Sequence, residues 1–218
     1  MAAASTDPLV LYQLGASPNS IKCRLALGLK KIPCKIVDTG LNEEDDKQVV
    51  ELSGQALRPI LVHEGRAVYD SHAILRYLDA NWKTSPRLFG GLDPDAQHDI
   101  EEWERFAYEE LRKSIGMIFG QMFAKTVDTN ETAEASALLA KNCARIEEAL
   151  SKTAYLMGPQ PNAADLTVAA FVGHGLLEPA QKHPFNQFFA KHLRLPEKGF
   201  ERTRAWCKKV LAHDPAPL

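Results

Sequence analysis

The sequence lacks any apolar run of the length that a membrane span requires, and it has almost no excess of charge of either sign. A helix needs about 20 consecutive apolar residues to cross a bilayer, and no segment of the 218 residues approaches that length. The net charge is -2, whereas nucleic-acid-binding proteins usually carry a marked basic excess. We therefore expect neither a membrane nor a nucleic acid as a partner.

Metal-binding and nucleotide-binding motifs are also missing. The four cysteines form no C-x-x-C pair and have no zinc-finger spacing, and there is no G-x-G-x-x-G, P-loop or H-E-x-x-H motif. The opening stretch MAAASTDP has neither a basic region nor an apolar region, so it does not resemble a secretory signal. The sequence therefore predicts a cytoplasmic protein with reduced thiols and without a metal site.

Residues 1–80 contain four segments with the length and composition of β-strands. These are Leu9–Leu14, Cys34–Val37, Ile60–His63 and Arg66–Tyr69. The helical period over Ser20–Lys31 joins the first two strands, which predicts a βαβ unit with a parallel pair. Glu64 and Gly65 supply a two-residue hairpin turn between the last two strands. The pattern predicts an α/β domain with a mixed four-stranded sheet, in which the charged segment NEEDDKQVVELS is either a loop or a short helix.

The composition changes after this first part of the chain. The segment KTSPRLFGGLDPD is rich in proline and glycine, which is typical of a linker. Every later segment with a clear pattern has helical periodicity, and NAADLTVAAFVGHGLLE is apolar nearly all round, which predicts a buried central helix. We therefore predict a first domain over residues 1–80, a linker over residues 81–93 and an all-α domain over residues 94–218.

Two neighbouring motifs in the first domain suit a ligand with both an anionic and a cationic group. In RPILVHEG, Pro59 opens the third strand, and in VYDSHAILRYL, Asp70 and Ser71 open the next helix. The start of a helix binds a carboxylate through its free amides and a serine hydroxyl, while Asp70 can bind an ammonium group. The alternative is a proline at a strand entry and an ordinary helix cap.

These motifs and the order of the two halves resemble the cytosolic glutathione transferase family over nearly the full length. The resemblance implies a thioredoxin-like first domain, an all-α second domain, glutathione as co-substrate with no other cofactor, and a homodimer. It implies a cis bond before Pro59 whose backbone pairs with glutathione, and a γ-glutamyl group held by Asp70 and Ser71. The box formed by Asn162 and Asp165 also resembles a family motif, with a role in folding.

The opening stretch GASPNSIKCRLAL supplies the candidate catalytic residues. Ser17 falls where the serine-type classes carry their catalytic serine, and Asn19 falls where two bacterial classes have a residue near the glutathione sulfur. A helix N-terminus and a hydrogen-bond donor both favour the thiolate, because an ordinary thiol has a pKa of about 8.5. Either side chain has the alternative role of capping the helix.

The segment SGQALRP departs from the family pattern. Leu57 replaces a polar residue that often binds the glycyl carboxylate of glutathione, and Arg58 replaces an apolar residue before the proline. We keep Arg58 as a glutathione-binding candidate. Arg58, Gln55 and Lys47 are all candidates for the glycyl carboxylate.

We therefore predict a glutathione transferase that joins the thiolate to a small hydrophobic electrophile. The first long helix of the second domain carries candidate lining residues for that electrophile or for ordinary core contacts. They are Tyr108, Arg112, Ile115 and Phe119. The alternatives are another glutathione-dependent enzyme (a disulfide reductase, a cis-trans isomerase or an ether-cleaving lyase) and a non-catalytic protein of the same fold.

Overall fold

A computed structural model describes residues 8–83, 86–91, 93–179 and 183–217 of the chain. The opening residues 1–7 and positions 84, 85 and 92 of the predicted linker lie outside the described residues. Within the described part, the segment up to residue 81 contains both strands and helices, and only helices follow from residue 94. This architecture confirms the predicted fold class, an α/β part followed by an all-α part, while the exact domain boundaries stay a prediction.

The four strands form one mixed sheet. They are β1 (Val10–Gln13), β2 (Lys35–Asp38), β3 (Ile60–His63) and β4 (Arg66–Tyr69), in the order β2-β1-β3-β4. β1 runs parallel to β2 and antiparallel to β3, which pairs antiparallel with β4. Glu64 and Gly65 have φ values of 52° and 72°, as a tight hairpin turn that matches the strand twist requires. The predicted hairpin is confirmed at the predicted residues.

Three helices accompany this sheet. They are α1 (Pro18–Leu29), α2 (Glu43–Ser53) and α3 (Ser71–Asn81). α1 packs against α3, and α2 contacts β3 and β4. The charged segment is therefore a helix, because Asn42 caps it through the amides of Glu44 and Asp45 and Gly54 ends it at a φ of 75°.

The second half of the described chain consists of helices. They are α4 (Pro94–Phe106), α5 (Arg112–Gln121), α6 (Thr129–Ala149), α7 (Ala163–Val172), α8 (Pro184–His192) and α9 (Glu201–Leu211). A π-helical turn over Ala107–Leu111 joins α4 to α5, and a 3-10 turn over Gly173–Leu176 follows α7. The predicted first long helix of the second half is thus interrupted by one wider turn. No helix in the described segments is both long and apolar enough to span a membrane.

α7 is the buried centre of the second half, as its apolar composition predicts. All ten of its residues are buried, and it packs against α1 of the first half and against α4. Its start is held by the predicted capping box, in which the Asp165 carboxylate accepts the Asn162 amide at 3.0 Å. This packing fixes α1, and with it Ser17, at the junction of the two halves.

Candidate active site

A cavity of about 430 Å³ lies where the start of α1 meets the second half of the chain. Its first-half wall includes Ser17, Asn19 and Arg58. The opposite wall is mainly apolar. It includes Ile115, Phe119, Phe171, Phe185 and Phe189. The rings of Phe119 and Phe185 are stacked, with centroids 6.1 Å apart and an angle of 15° between their planes. The cavity therefore combines polar groups with an aromatic surface.

Ser17 is the residue that precedes the first turn of α1. Its backbone is extended, at φ -72° and ψ 130°, and its side chain makes no capping hydrogen bond to the helix. Pro18 occupies the first helical position, where a missing amide proton costs nothing. The alternative in which the Ser17 side chain only caps the helix is therefore not what the structure contains. The hydroxyl lies at the positive end of the helix dipole and borders the cavity.

Tyr108 joins the two helix starts that the sequence singles out. Its hydroxyl donates to Oδ1 of Asn19, lies 3.2 Å from Oγ of Ser71, and accepts a 3.2 Å hydrogen bond from Nζ of Lys22. Tyr108 lies in the π-helical turn, a type of distortion that is common at functional sites. Burial raises the pKa of its hydroxyl, so the group stays protonated and acts as a hydrogen-bond donor at neutral pH.

Asp70 and Ser71 lie at the start of α3, outside the lining of the cavity. Asp70 is the capping residue, with a φ of 63°, and its carboxylate accepts the amide of His72 at 2.7 Å. Ser71 is buried beneath Tyr108. The capping role predicted as the alternative for Asp70 is therefore present, and its other carboxylate oxygen is left for a cation.

Arg58 borders the cavity and precedes Pro59 through a cis peptide bond. Its guanidinium donates to Thr39 Oγ1 at 2.9 Å and to Asp46 Oδ1 at 2.6 Å. The side chain is 5% exposed, and its Nη2 atom is buried without a hydrogen-bond partner. Arg58 thus has one buried donor without a partner, and the residue borders the cavity.

The other two candidates for the glycyl carboxylate are placed less favourably. The amide of Gln55 is engaged by the backbone of Leu57, donating to its carbonyl at 2.9 Å and accepting its N–H at 2.6 Å. Lys47 lies in α2 on a separate surface that it shares with Glu44, Asp45 and Glu51. Neither of these two side chains lines the cavity.

Sequence reasoning missed two buried basic groups near this cavity. Lys22 is fully buried in α1, and burial lowers its pKa from the ordinary value of 10.5 to about 8. His174 is fully buried, lines the cavity, and approaches the carbonyl oxygen of Ala16 to 2.8 Å through Nε2. The sequence signal for both was a basic residue among apolar neighbours, which by itself does not specify a partner.

The cysteines lie away from the cavity lining. All four are free thiols. Burial raises the pKa of Cys23 and Cys143 to about 12 and that of Cys34 to about 11. Within the described residues, no group of histidine, cysteine and acidic side chains is arranged to hold a metal ion. The cavity offers hydrogen-bond donors at a helix start, so it suits a ligand that brings its own thiol.

Comparison with known proteins finds similarity to glutathione S-transferases in both sequence and family models. The family described as glutathione S-transferase, N-terminal domain, matches residues 11–86. A probable glutathione S-transferase of Oryza sativa subsp. japonica is 28% identical over 144 residues, and the match spans 63% of this chain and 58% of the rice protein. Glutathione transferase GST 23 of Zea mays is 27% identical over 200 residues, which is 91% of this chain and 83% of the maize protein.

The fold is also that of a solved structure. The Tau class glutathione S-transferase of mango, Mangifera indica L., superimposes with a TM-score of 0.74 at 17% identity, over 98% of this chain and 92% of that chain. Sheet order and helical second half define a two-domain protein with a thioredoxin-like first domain. Within that class, the first half of the chain matches the glutathione S-transferase N-terminal domain family, and the chain is similar to plant glutathione S-transferases over up to 91% of its length.

Proposed function

We propose that this protein is a glutathione transferase that conjugates glutathione to a small hydrophobic electrophile. The observation that carries the proposal is the position of the Ser17 hydroxyl. It is not used as a cap, it lies at the start of α1, and it borders a cavity whose opposite wall is aromatic. A thiol held at that point receives one hydroxyl hydrogen bond and the favourable field of the helix, and both lower its pKa.

In the proposed complex, glutathione lies across the starts of α1 and α3. Its sulfur accepts a hydrogen bond from Ser17, its glycyl carboxylate faces the free donor of Arg58, and its backbone pairs beside Pro59. The γ-glutamyl amino group is held by Asp70, and the carboxylate by Ser71 and the amides that begin α3. The hydroxyl of Tyr108, which bridges Asn19 and Ser71, lies between these two parts of the ligand.

The proposed reaction uses few protein groups. The glutathione thiol loses its proton to water, and the resulting thiolate is stabilised by Ser17. The sulfur then attacks an electrophilic carbon held against Phe119 and Phe185, forming a carbon–sulfur bond while the leaving group departs with its electron pair. Ser17 keeps its own proton and acts only as a donor.

Two measurements test this function. Titration calorimetry of the full chain with glutathione should give measurable heat. An activity assay with an aryl halide as the electrophile should give glutathione-dependent turnover. S-methylglutathione is the matched control, because it keeps both carboxylates but has no thiol to transfer. Absence of both heat and thermal stabilisation at millimolar glutathione would contradict the proposal.

A second candidate function is a glutathione-dependent disulfide reductase. The observation that favours it is the position of the four cysteines, which lie outside the cavity and have raised pKa values. Bound glutathione would then be the only thiol in the reaction. A dialkyl disulfide and a maleyl-type substrate, tested beside the aryl halide, distinguish a reductase and an isomerase from a transferase.

We also propose a cytoplasmic homodimer that uses glutathione without a further cofactor. Similarity to the glutathione S-transferases supports this proposal, as does Leu57, which is 76% exposed beside the candidate site. Light scattering coupled to gel filtration measures the mass of the particle in solution and therefore its oligomeric state. A mass equal to the 24.2 kDa of one chain at micromolar concentration would contradict the dimer.

A further inference from the structure

The loop that carries Ser17 is held by groups from distant parts of the chain. Residues 14–17 connect β1 to α1, and the two carbonyl oxygens directly before Ser17 each accept a hydrogen bond from a buried side chain. Gly15 O accepts from Nη1 of Arg24 at 3.0 Å. Ala16 O lies 2.8 Å from Nε2 of His174, which belongs to the 3-10 turn after α7. The position of Ser17 therefore depends on two side chains outside its own loop.

Arg24 is in turn held by Asp214, in the segment that follows α9 (residues 212–217). The guanidinium donates to both carboxylate oxygens, from Nε at 2.8 Å and from Nη2 at 2.7 Å. The two side chains are only 1% and 3% exposed. Arg24 Nη1 also donates to Gln13 Oε1 at 2.7 Å. A two-point ion pair of this kind fixes orientation as well as charge.

The segment after α9 is seated closely on α1. A Cβ atom added to Gly28 would lie 1.7 Å from the carbonyl oxygen of His213, so the segment reaches this position only because residue 28 has no side chain. Asp214 is also fixed from its other side, since its Oδ1 accepts the amide of Ala216 at 2.9 Å. The carboxylate is therefore held in place before it meets Arg24.

We propose that Asp214 is a positioning residue for the proposed transferase reaction, acting through Arg24 to hold the Ser17 loop in its reactive geometry. His174 acts in the same way on the neighbouring carbonyl group. Asp214 contacts neither the cavity nor any predicted ligand group. This inference rests on the proposed role of Ser17 as the hydroxyl that holds the glutathione sulfur.

The first test compares Asp214→Asn with Asp79→Asn in the full chain. Asp79 is the matched control, because it forms an equally buried ion pair with Lys30, at 2.9 Å, away from the Ser17 loop. Hydrogen–deuterium exchange of the ligand-free protein reports on the Ser17 amide, which donates to Leu14 O at 2.9 Å. We expect Asp214→Asn to speed exchange in residues 14–17 several-fold more than Asp79→Asn does.

The second test measures the pKa of bound glutathione together with kcat and KM. Asp214→Asn should raise the pKa of bound glutathione and lower kcat more than it changes KM, and Asp214→Glu should restore part of the loss. Gly28→Ala offers an independent route, because it displaces the segment without changing Arg24 or Asp214. If Asp214→Asn does not fold, Gly28→Ala decides the question through the same measurements.

The outcomes separate the inference from the proposed function. Equal exchange in Asp214→Asn and Asp79→Asn, or equal thiol pKa values, would overturn the positioning role. If Ser17→Ala leaves the thiol pKa unchanged, the proposed role of Ser17 is contradicted, whereas the positioning role of Asp214 is not. Hydrogen–deuterium exchange of residues 14–17 then decides by itself whether Asp214 positions the loop.

Discussion

The ammonium of Lys22 donates a 3.2 Å hydrogen bond to the hydroxyl of Tyr108, across the boundary between the two halves of the chain. Lys22 is fully buried, and Nζ lies 4.9 Å from the centroid of the same tyrosine ring. Among the residues that the structure describes, no carboxylate forms an ion pair with this ammonium. A buried cation with one neutral partner is costly, which explains the depressed pKa of about 8.

Replacement of Lys22 by methionine should stabilise the protein at neutral pH. The lysine pKa is 10.5 when unfolded and about 8 when folded, so its burial costs on the order of 3 kcal/mol below pH 8, at about 1.36 kcal/mol per pKa unit. This cost falls as the pH rises through the folded pKa and vanishes above the unfolded pKa. Lys22→Met should therefore gain stability relative to the wild type at pH 7, and the gain should shrink by pH 10.

Urea unfolding at both pH values measures this difference, and packing effects of the methionine cancel in the comparison. Lys113→Met is the matched control, because Lys113 is exposed and pairs only with Glu110. A stability difference between wild type and Lys22→Met that is the same at pH 7 and pH 10 would contradict the prediction.

Ser17→Ala should raise the pKa of bound glutathione by about one unit or more. A hydrogen bond to a charged group contributes about 1.5–3 kcal/mol, and each pKa unit corresponds to about 1.36 kcal/mol. Turnover below pH 7 should fall by about tenfold. Asn19→Ala should have a smaller effect, because its carbonyl oxygen already accepts from Tyr108. Ultraviolet absorbance of the thiolate across a pH titration measures the thiol pKa in both variants. A larger pKa increase in Asn19→Ala than in Ser17→Ala would assign the sulfur-binding role to Asn19.

Arg58→Met should weaken glutathione binding by roughly tenfold or more. Loss of one donor to a carboxylate costs about 1.5–3 kcal/mol, and each 1.4 kcal/mol is a factor of about ten in Kd. Lys47→Met serves as the control and should leave Kd unchanged. Calorimetry with glutathione whose glycyl carboxylate is amidated completes the test, since wild type and Arg58→Met should bind it equally. A large difference for the amide would show that Arg58 does not act on that carboxylate.

Asp165→Ala should lower the free energy of unfolding by about 3 kcal/mol or more. Its carboxylate accepts the amides of Leu156 and Asn162 and the indole N–H of Trp206, and each buried donor left unpaired costs about 1–3 kcal/mol. Asp93→Ala is the comparison, because Asp93 caps the exposed start of α4 and its loss should cost only about 1 kcal/mol. Urea unfolding measures both, and equal losses would contradict the prediction.

Local patterns predicted the fold well, because each element depends on nearby residues. Alternation and turn residues placed β3, β4 and their hairpin at the observed positions. The sequence does not decide between a loop and a helix for the charged segment over α2, since its apolar content is low and its helix depends on the cap at Asn42 and the end at Gly54. The sequence does not predict the interruption of the α4–α5 helix, because the apolar residues Ala107, Leu111 and Ile115 continue at α-helical spacing through the π-helical turn.

The candidate site was only partly accessible from sequence. The sequence indicates Ser17, Asn19 and Arg58, and these residues do border one cavity, while their roles stay predictions. The sequence also indicates Asp70 and Ser71, but their position outside the lining of that cavity depends on how the second half packs on the first. Lys22 and His174 were missed for the same reason.

The sequence by itself determined the four strands and most of the helices, and that Ser17 and Asp70 each stand at a helix start. These properties follow from side-chain periodicity and local backbone preferences. Tertiary structure alone decided which polar groups are buried and that the Ser17 side chain makes no capping hydrogen bond. It also decided that Asp214 pairs with Arg24, which lies 190 positions away in the sequence. These long-range hydrogen-bond and ion-pair partners depend on the packing of α1 between the sheet and α7. Local sequence patterns therefore do not predict them.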